Sequence, residues 1–151
     1  MENKICTSLE QSKKLLELGI DVNTADMYYT TFYGKVDKDL PLPKEVYDIL
    51  KYPINEDKII HAWSLSALLG LMPKHIKQED GRVYKFYIFN DNGRVIQRWG
   101  CSYVAEDYHN RAEYLSDPTL KYPTNIYTDK CKEPLDAAFE MVVWLKENNK
   151  I

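Results

Sequence analysis

The chain has 151 residues, 44% of them hydrophobic and 28% charged, with 20 basic against 23 acidic side chains and a net charge of −3. That composition excludes extended disorder, and a chain of this length is most simply one domain, 1–151, burying about 70% of its unfolded surface without disulfides or a structural metal. The longest basic run is Lys13-Lys14, which argues against sequence-independent nucleic-acid binding, since that draws on clustered Lys and Arg. Cys6, Cys101 and Cys131 are far apart with no C-x-x-C, and the opening MENKICTSLEQ lacks the basic start and apolar core of a secretory signal. Free thiols in a reducing, cytoplasmic setting are the expectation. Twelve tyrosines suit the edge of a core, where a large ring is buried and its polar tip stays wet, more readily than a dedicated contact surface.

In chain order, Thr7 followed by Glu10 reads as a capping box opening a helix over 8–18. Leu9, Leu15, Leu16 and Leu18 form its apolar side, and Gly19 can take the left-handed conformation that ends it, with Ile20 folding back onto the last turn. The Tyr, Thr and Phe content of 27–33 favours a strand, although the alternation is poor. Prolines 41 and 43 make KDLPLP an extended loop, and Val46, Ile49 and Leu50 have helical spacing over 44–52. AWSLSALLGLMP, at 62–73, is too short for a bilayer span, which needs about 20 residues. Ser64 is a good N-cap, Trp63 and Leu68 have the spacing of a hydrophobic staple, and Pro73 cannot continue the helix. A buried central helix over 65–72 follows.

The strongest local signal lies in 81–104. Asn92-Gly93 favours a two-residue type I′ turn, since both positions accept positive φ. That turn pairs Phe89 with Ile96, Tyr87 with Arg98 and Phe86 with Trp99. Alternation then sets Tyr84, Phe86, Ile88, Val95, Trp99 and Cys101 on a core face, and Lys85, Tyr87, Phe89, Ile96 and Arg98 on the other, with Tyr87 and Arg98 placed for a cation–π contact. Segment 105–115 is charged and aromatic with no apolar stripe, and 116–129 reads as loop with at most a short edge strand. Pro134 suits the first position of a closing helix over 135–147. Its apolar face is Leu135, Ala138, Phe139, Val142 and Val143, widened by Met141, Trp144 and Leu145. Asp136, Glu140 and Glu147 form a stripe facing water. The fold class is therefore α+β, an antiparallel sheet built on the 83–104 hairpin and packed against three or so helices.

Chemistry is sparse. A Cys–His nucleophile would need Cys101 beside His109 or His61, but Cys101 is placed on the core face, where a free thiol behaves as a small apolar group. His61, His75 and His109 show no metal-ligand spacing, and nothing selects a zinc site from Cys101, His109 and Cys131. In the run Glu106-Asp107-Tyr108-His109-Asn110-Arg111, acid, imidazole and guanidinium lie close in sequence, so Asp107, His109 and Arg111 are the candidate polar site, the competing reading being a solvated charged face. Tyr87, Phe89 and Arg98 on the outer hairpin face are a candidate aromatic and basic surface that could stack single-stranded bases, unless a helix covers it. No P-loop, G-x-G-x-x-G or G-x-S-x-G occurs, and no cofactor is implied.

AWSLSALLGLMP and the closing DAAFEMVVWLKENNKI resemble segments of small proteins encoded by phages and mobile elements of gut bacteria related to Bacteroides, and ICTSLEQSKKLLELGIDVNTADMYY is similar in phrasing. The resemblance implies a context, bacterial or viral, intracellular and accessory, and brings no activity or catalytic residue with it. The expected function is that of a non-catalytic cytoplasmic accessory protein acting through protein–protein contacts or self-association. One alternative is small-molecule or nucleotide processing near Asp107, His109 and Arg111. The other is single-stranded nucleic-acid binding through Tyr87, Phe89 and Arg98.

Overall fold

A computed structural model describes residues 4–32, 35–36, 41–46, 59–92, 97–107 and 111–151. It is an α+β fold in which helices pack on one face of an antiparallel sheet. Helix α1 (Leu9–Glu17) is followed by a 3-10 turn (Val22–Thr24) and the short strands β1 (Met27–Tyr29), β2 (Thr31–Phe32), β3 (Lys35–Val36), β4 (Leu42–Pro43) and β5 (Ile60–Ala62). Helix α2 (Leu65–Leu71), β6 (His75–Lys77), β7 (Val83–Asn92), β8 (Gln97–Ala105), α3 (Arg111–Ser116), β9 (Ile126–Cys131) and α4 (Pro134–Glu147) complete it. Strands β6-β7-β8-β9 form a four-stranded antiparallel meander, β4-β1-β5 a three-stranded sheet, and β2 pairs with β3. Residues 44–46 are helical, and the remainder of the helix expected over 44–52 lies outside the described residues.

Helix α1 begins one residue later than its sequence implies. Ser8 is the N-cap, its hydroxyl accepting from the Gln11 amide (3.2 Å) while the Gln11 carboxamide accepts from the Ser8 amide (2.9 Å). The expected Thr7–Glu10 box is thus displaced, because the Thr7 hydroxyl is already engaged. It is fully buried, accepts from the Trp63 amide (3.0 Å) and shares a hydrogen bond with Ser12 Oγ (2.8 Å). The other end follows the sequence. Gly19 has φ 76°, the Ile20 amide donates to the Leu15 carbonyl (3.0 Å) and the Gly19 amide to Leu16 (2.9 Å), a Schellman turn that returns Ile20 to the core beside Leu15.

In α2, Ser64 Oγ accepts from the Ala67 amide (3.2 Å) and donates to Asp26 (2.5 Å), so a carboxylate from the start of β1 completes the cap. The segments leading into α1 and α2 lie side by side, joined by the Thr7 amide donating to the Trp63 carbonyl (2.9 Å). Trp63 and Leu68 are both fully buried. Helix α4 carries Pro134 at its first position. Leu135, Ala138, Met141, Val142 and Leu145 are buried as expected, together with Ala137, while Phe139, Val143 and Trp144 are partly covered. The acidic stripe is not uniformly solvated: Asp136 is held by Lys4 Nζ (2.8 Å) and Gln11 Nε2 (2.9 Å), tethering the α1 region to α4. One apolar cluster runs from Leu15 through Trp63 and Leu68 to the sheet and α4.

The β7–β8 ladder departs from the expected pairing. Phe89 faces Gly100, Tyr87 faces Ser102, Arg98 faces Asp91, and the ladder extends to Asn92 and Gln97. This register is not the one a turn at Asn92-Gly93 would set, and the Tyr87–Arg98 pair does not form; Gly93 and residues 94–96 lie outside the described residues. Register follows packing rather than local turn preference. Gly100 is the one position on β8 with no side chain, and the Phe89 ring occupies that space, where a Cβ would collide with it and with the Thr128 carbonyl. Each partner is displaced by four positions, an even number, so the described residues of both strands keep the parity expected of them, although Ile88, on the core side, is 39% exposed. Val95 and Ile96 lie outside the described residues. Tyr84, Cys101 and Tyr103 are fully buried on one side, while Lys85, Tyr87 and Arg98 are exposed on the other.

Candidate functional site

Two sites were expected from the sequence, and the structure treats them differently. Of the polar site, Asp107 is exposed just beyond β8, and its carboxylate is bound by Arg82 Nε (3.2 Å), a partner from the β6–β7 turn rather than from its own segment. Arg111 opens α3, and His109 lies outside the described residues. Cys101 is fully buried in the core, where desolvation pushes its thiol up to about 12, far from the depressed range a nucleophile needs. Cys6 and Cys131 are buried as well. Among the described residues no three His, Cys, Asp or Glu side chains gather in a way that could hold a metal ion, and no helix is long and apolar enough to cross a membrane.

The second candidate is a coherent surface. Antiparallel register places His75, Lys85 and Val104 in one row across β6, β7 and β8, and Tyr87, Ser102 and Tyr127 in the next across β7, β8 and β9. Below them lies the Phe89–Gly100 row and then Asp91–Arg98. Helices α1, α2 and α4 belong to the apolar cluster on the opposite side. On this side the large side chains stand in solvent, with Val83 40%, Tyr87 47% and Tyr127 56% exposed. Tyr87 and Tyr127 sit two strand spacings apart, about 10 Å, with the small Ser102 between them. Phe89, in contrast, is folded down over Gly100 and is partly buried. It supports the surface rather than presenting a face of its own.

The charges are arranged with the rings. Lys85 Nζ lies 6.0 Å from the Tyr87 ring centre, so the cation near Tyr87 comes from two residues along the same strand, not from Arg98. Glu106 is close to His75 (3.1 Å) and Asp107 to Arg82 (3.2 Å), so the two acids at one end are already matched. Lys77, Lys85 and Arg98 remain exposed, with Asp91 opposite Arg98.

The chain matches no family model, no curated protein and no solved structure. The functional reading therefore rests on this geometry.

The sequence pointed to Tyr87 and Arg98 and allowed a short edge strand within 116–129, where β9 begins at the sheet's edge, but it did not single out Tyr127. Its signal was present in Ile126-Tyr127-Thr128, where the apolar and polar sides alternate. Only the pairing with Ser102 gives that short run a face.

Proposed function

We propose that this chain is a binding protein whose working surface is the outer face of the β6–β9 sheet, and that its partner is a protein offering an acidic surface with apolar contact points. One observation carries the reading. Tyr87 and Tyr127 stand exposed on either side of Ser102, on the face opposite the cluster of α1, α2 and α4, and tyrosine combines large contact area with a polar tip and low entropic cost. The excess of Lys77, Lys85 and Arg98 over Asp91 gives the partner's sign, since complementary potential steers encounter and fixes orientation. The proposed setting, an intracellular accessory protein of phage or mobile-element origin, is supported by the resemblance of the helical segments.

A photo-crosslinking amino acid at position 87 tests this, with position 13 on the exposed side of α1 as control. The expected result is a discrete adduct with one acidic protein, specific to position 87 and abolished by Tyr127→Ala in a folded chain. Equal adducts from both positions, or none, would remove the proposal.

A second reading uses the same face. Lys85 beside Tyr87, with Arg98 exposed below, is also what a single strand of nucleic acid requires. Binding of an oligothymidylate that weakens with salt and with Arg98→Ala would favour it over the protein partner.

A further inference from the structure

At one end of the four-stranded sheet, three separated segments enclose a cleft of about 690 Å³, within the range of small-molecule sites. The turn carrying Gln78, Glu79 and Asp80 forms one wall, the start of β9 with Asn125 a second, and Trp144 and Asn148 from the end of α4 the third. We infer that this cleft binds a neutral, polyhydroxylated ring, a sugar unit, against Trp144.

Three polar side chains of the lining, Asp80, Asn125 and Asn148, are fixed in place. The Asp80 carboxylate accepts from the Arg82 amide (3.0 Å) and the Tyr84 hydroxyl (2.7 Å). The Asn125 oxygen accepts from the Ala105 amide (3.1 Å), while its nitrogen donates to the Tyr127 hydroxyl (3.1 Å). Asn148 Nδ2 donates to the Trp144 carbonyl (2.8 Å), tying that carboxamide to the helix that carries the indole. Each planar group retains donor or acceptor capacity beyond these bonds, so the wall offers both kinds at set orientations.

Charge selects the ligand class. Asp80 and Glu79 are the lining carboxylates. Among the described residues no cation lines the cleft: Arg82, 3.8 Å from Asp80, is held more closely by Asp107 (3.2 Å), and the Lys150 amine donates to the Lys77 carbonyl (2.8 Å). The net negative lining repels a phosphate, and Asp80, already accepting from the Arg82 amide and the Tyr84 hydroxyl, holds little free charge for a polyamine. A hydroxyl both donates and accepts, so a ring edged with hydroxyls matches mixed amides and carboxylates, while its C–H face suits an indole. This site does not depend on the outer sheet face for its partner, although Tyr127 borders both.

Amide chemical-shift mapping of the whole chain tests the inference, with maltotriose, cellotriose and chitotriose as probes and spermidine and ATP as charged controls. At least one sugar at millimolar concentration should move amides within 78–80, 124–127 and 144–148 and leave those at 87 and 98 in place. Trp144→Phe and, separately, Glu79→Ala on its exposed turn should each weaken the binding about tenfold or more. Two outcomes overturn the inference: no sugar moves those amides in the folded wild-type chain, or spermidine or ATP moves them and the sugars do not. Should Trp144→Phe fail to fold, Glu79→Ala alone decides, and unchanged sugar affinity in that variant counts against the site.

Discussion

The two faces of the β6–β9 sheet use the same residue type for opposite ends. On the inner face Tyr84 and Tyr103 are fully buried, and each hydroxyl finds an acceptor, Asp80 for one and the Pro73 carbonyl (2.7 Å) for the other. On the outer face Tyr87 and Tyr127 are about half exposed, with rings in water. Tyr84 and Tyr87 are three positions apart on one strand, so parity alone separates a core side chain from a contact side chain. Tyrosine content by itself therefore indicates neither; position relative to the pleat does.

The largest expected difference between the faces is in stability. Tyr103→Ala should cost about 3–5 kcal/mol through the cavity and the lost packing, whereas Tyr87→Ala should stay within about 0.5 kcal/mol, as read by urea unfolding of the two variants. Equal losses would mean that the outer face is covered after all. Next comes the seam where the faces constrain each other. Gly100→Ala should destabilise by about 1–3 kcal/mol, because the added methyl meets both the Phe89 ring and the Thr128 carbonyl. Adding Phe89→Ala should restore only part of this, since the carbonyl remains; full recovery would show that the ring alone sets the register.

Smaller effects concern polar tips. Tyr103→Phe should lose about 1 kcal/mol with the Pro73 hydrogen bond, while Tyr87→Phe should leave the unfolding midpoint unchanged. Ser8→Ala should cost about 1 kcal/mol as the true cap of α1, and Glu10→Ala much less, which separates the observed box from the one expected at Thr7–Glu10.

The buried groups also set an alkaline limb. Desolvation raises the Cys101 thiol from 9.0 to about 12 and pushes the Tyr103 hydroxyl up as well. Protons held by the folded state but released by the unfolded one make this contribution complete below about pH 9 and lose it progressively towards pH 12. The melting temperature should decline over that window in wild type and decline less steeply in Cys101→Ala, whatever the variant's stability at neutral pH.

Much of the architecture was legible because its causes are local. Gly19 with Ile20 specified the end of α1, and Ser64 with Pro73 bounded α2, since caps and breakers act within one turn. The apolar side of α4 followed from helical spacing. Thr7 misled because its hydroxyl is drawn to Trp63, 56 residues away, leaving Ser8 to cap. For the sites, Tyr87 and Arg98 were legible as exposed residues of a hairpin, but the partner assigned to each was wrong. The alternation at 126–128 was legible, but the face Tyr127 presents and the cleft were not, because both exist only once β9 lies beside β8 and α4 closes over the sheet's inner face.

The sequence by itself determined the end of α1, the bounds of α2 and the face that the described hairpin residues occupy. Period-two alternation is a property of the extended backbone and survives an even displacement of its partner strand. Only the tertiary structure decided that displacement, the open outer surface and the gathering of 78–80, 124–127 and 144–148 into one cleft. Those depend on which side chains fill which spaces across long stretches of chain, as Phe89 fills the space above Gly100. No short window of residues carries that information.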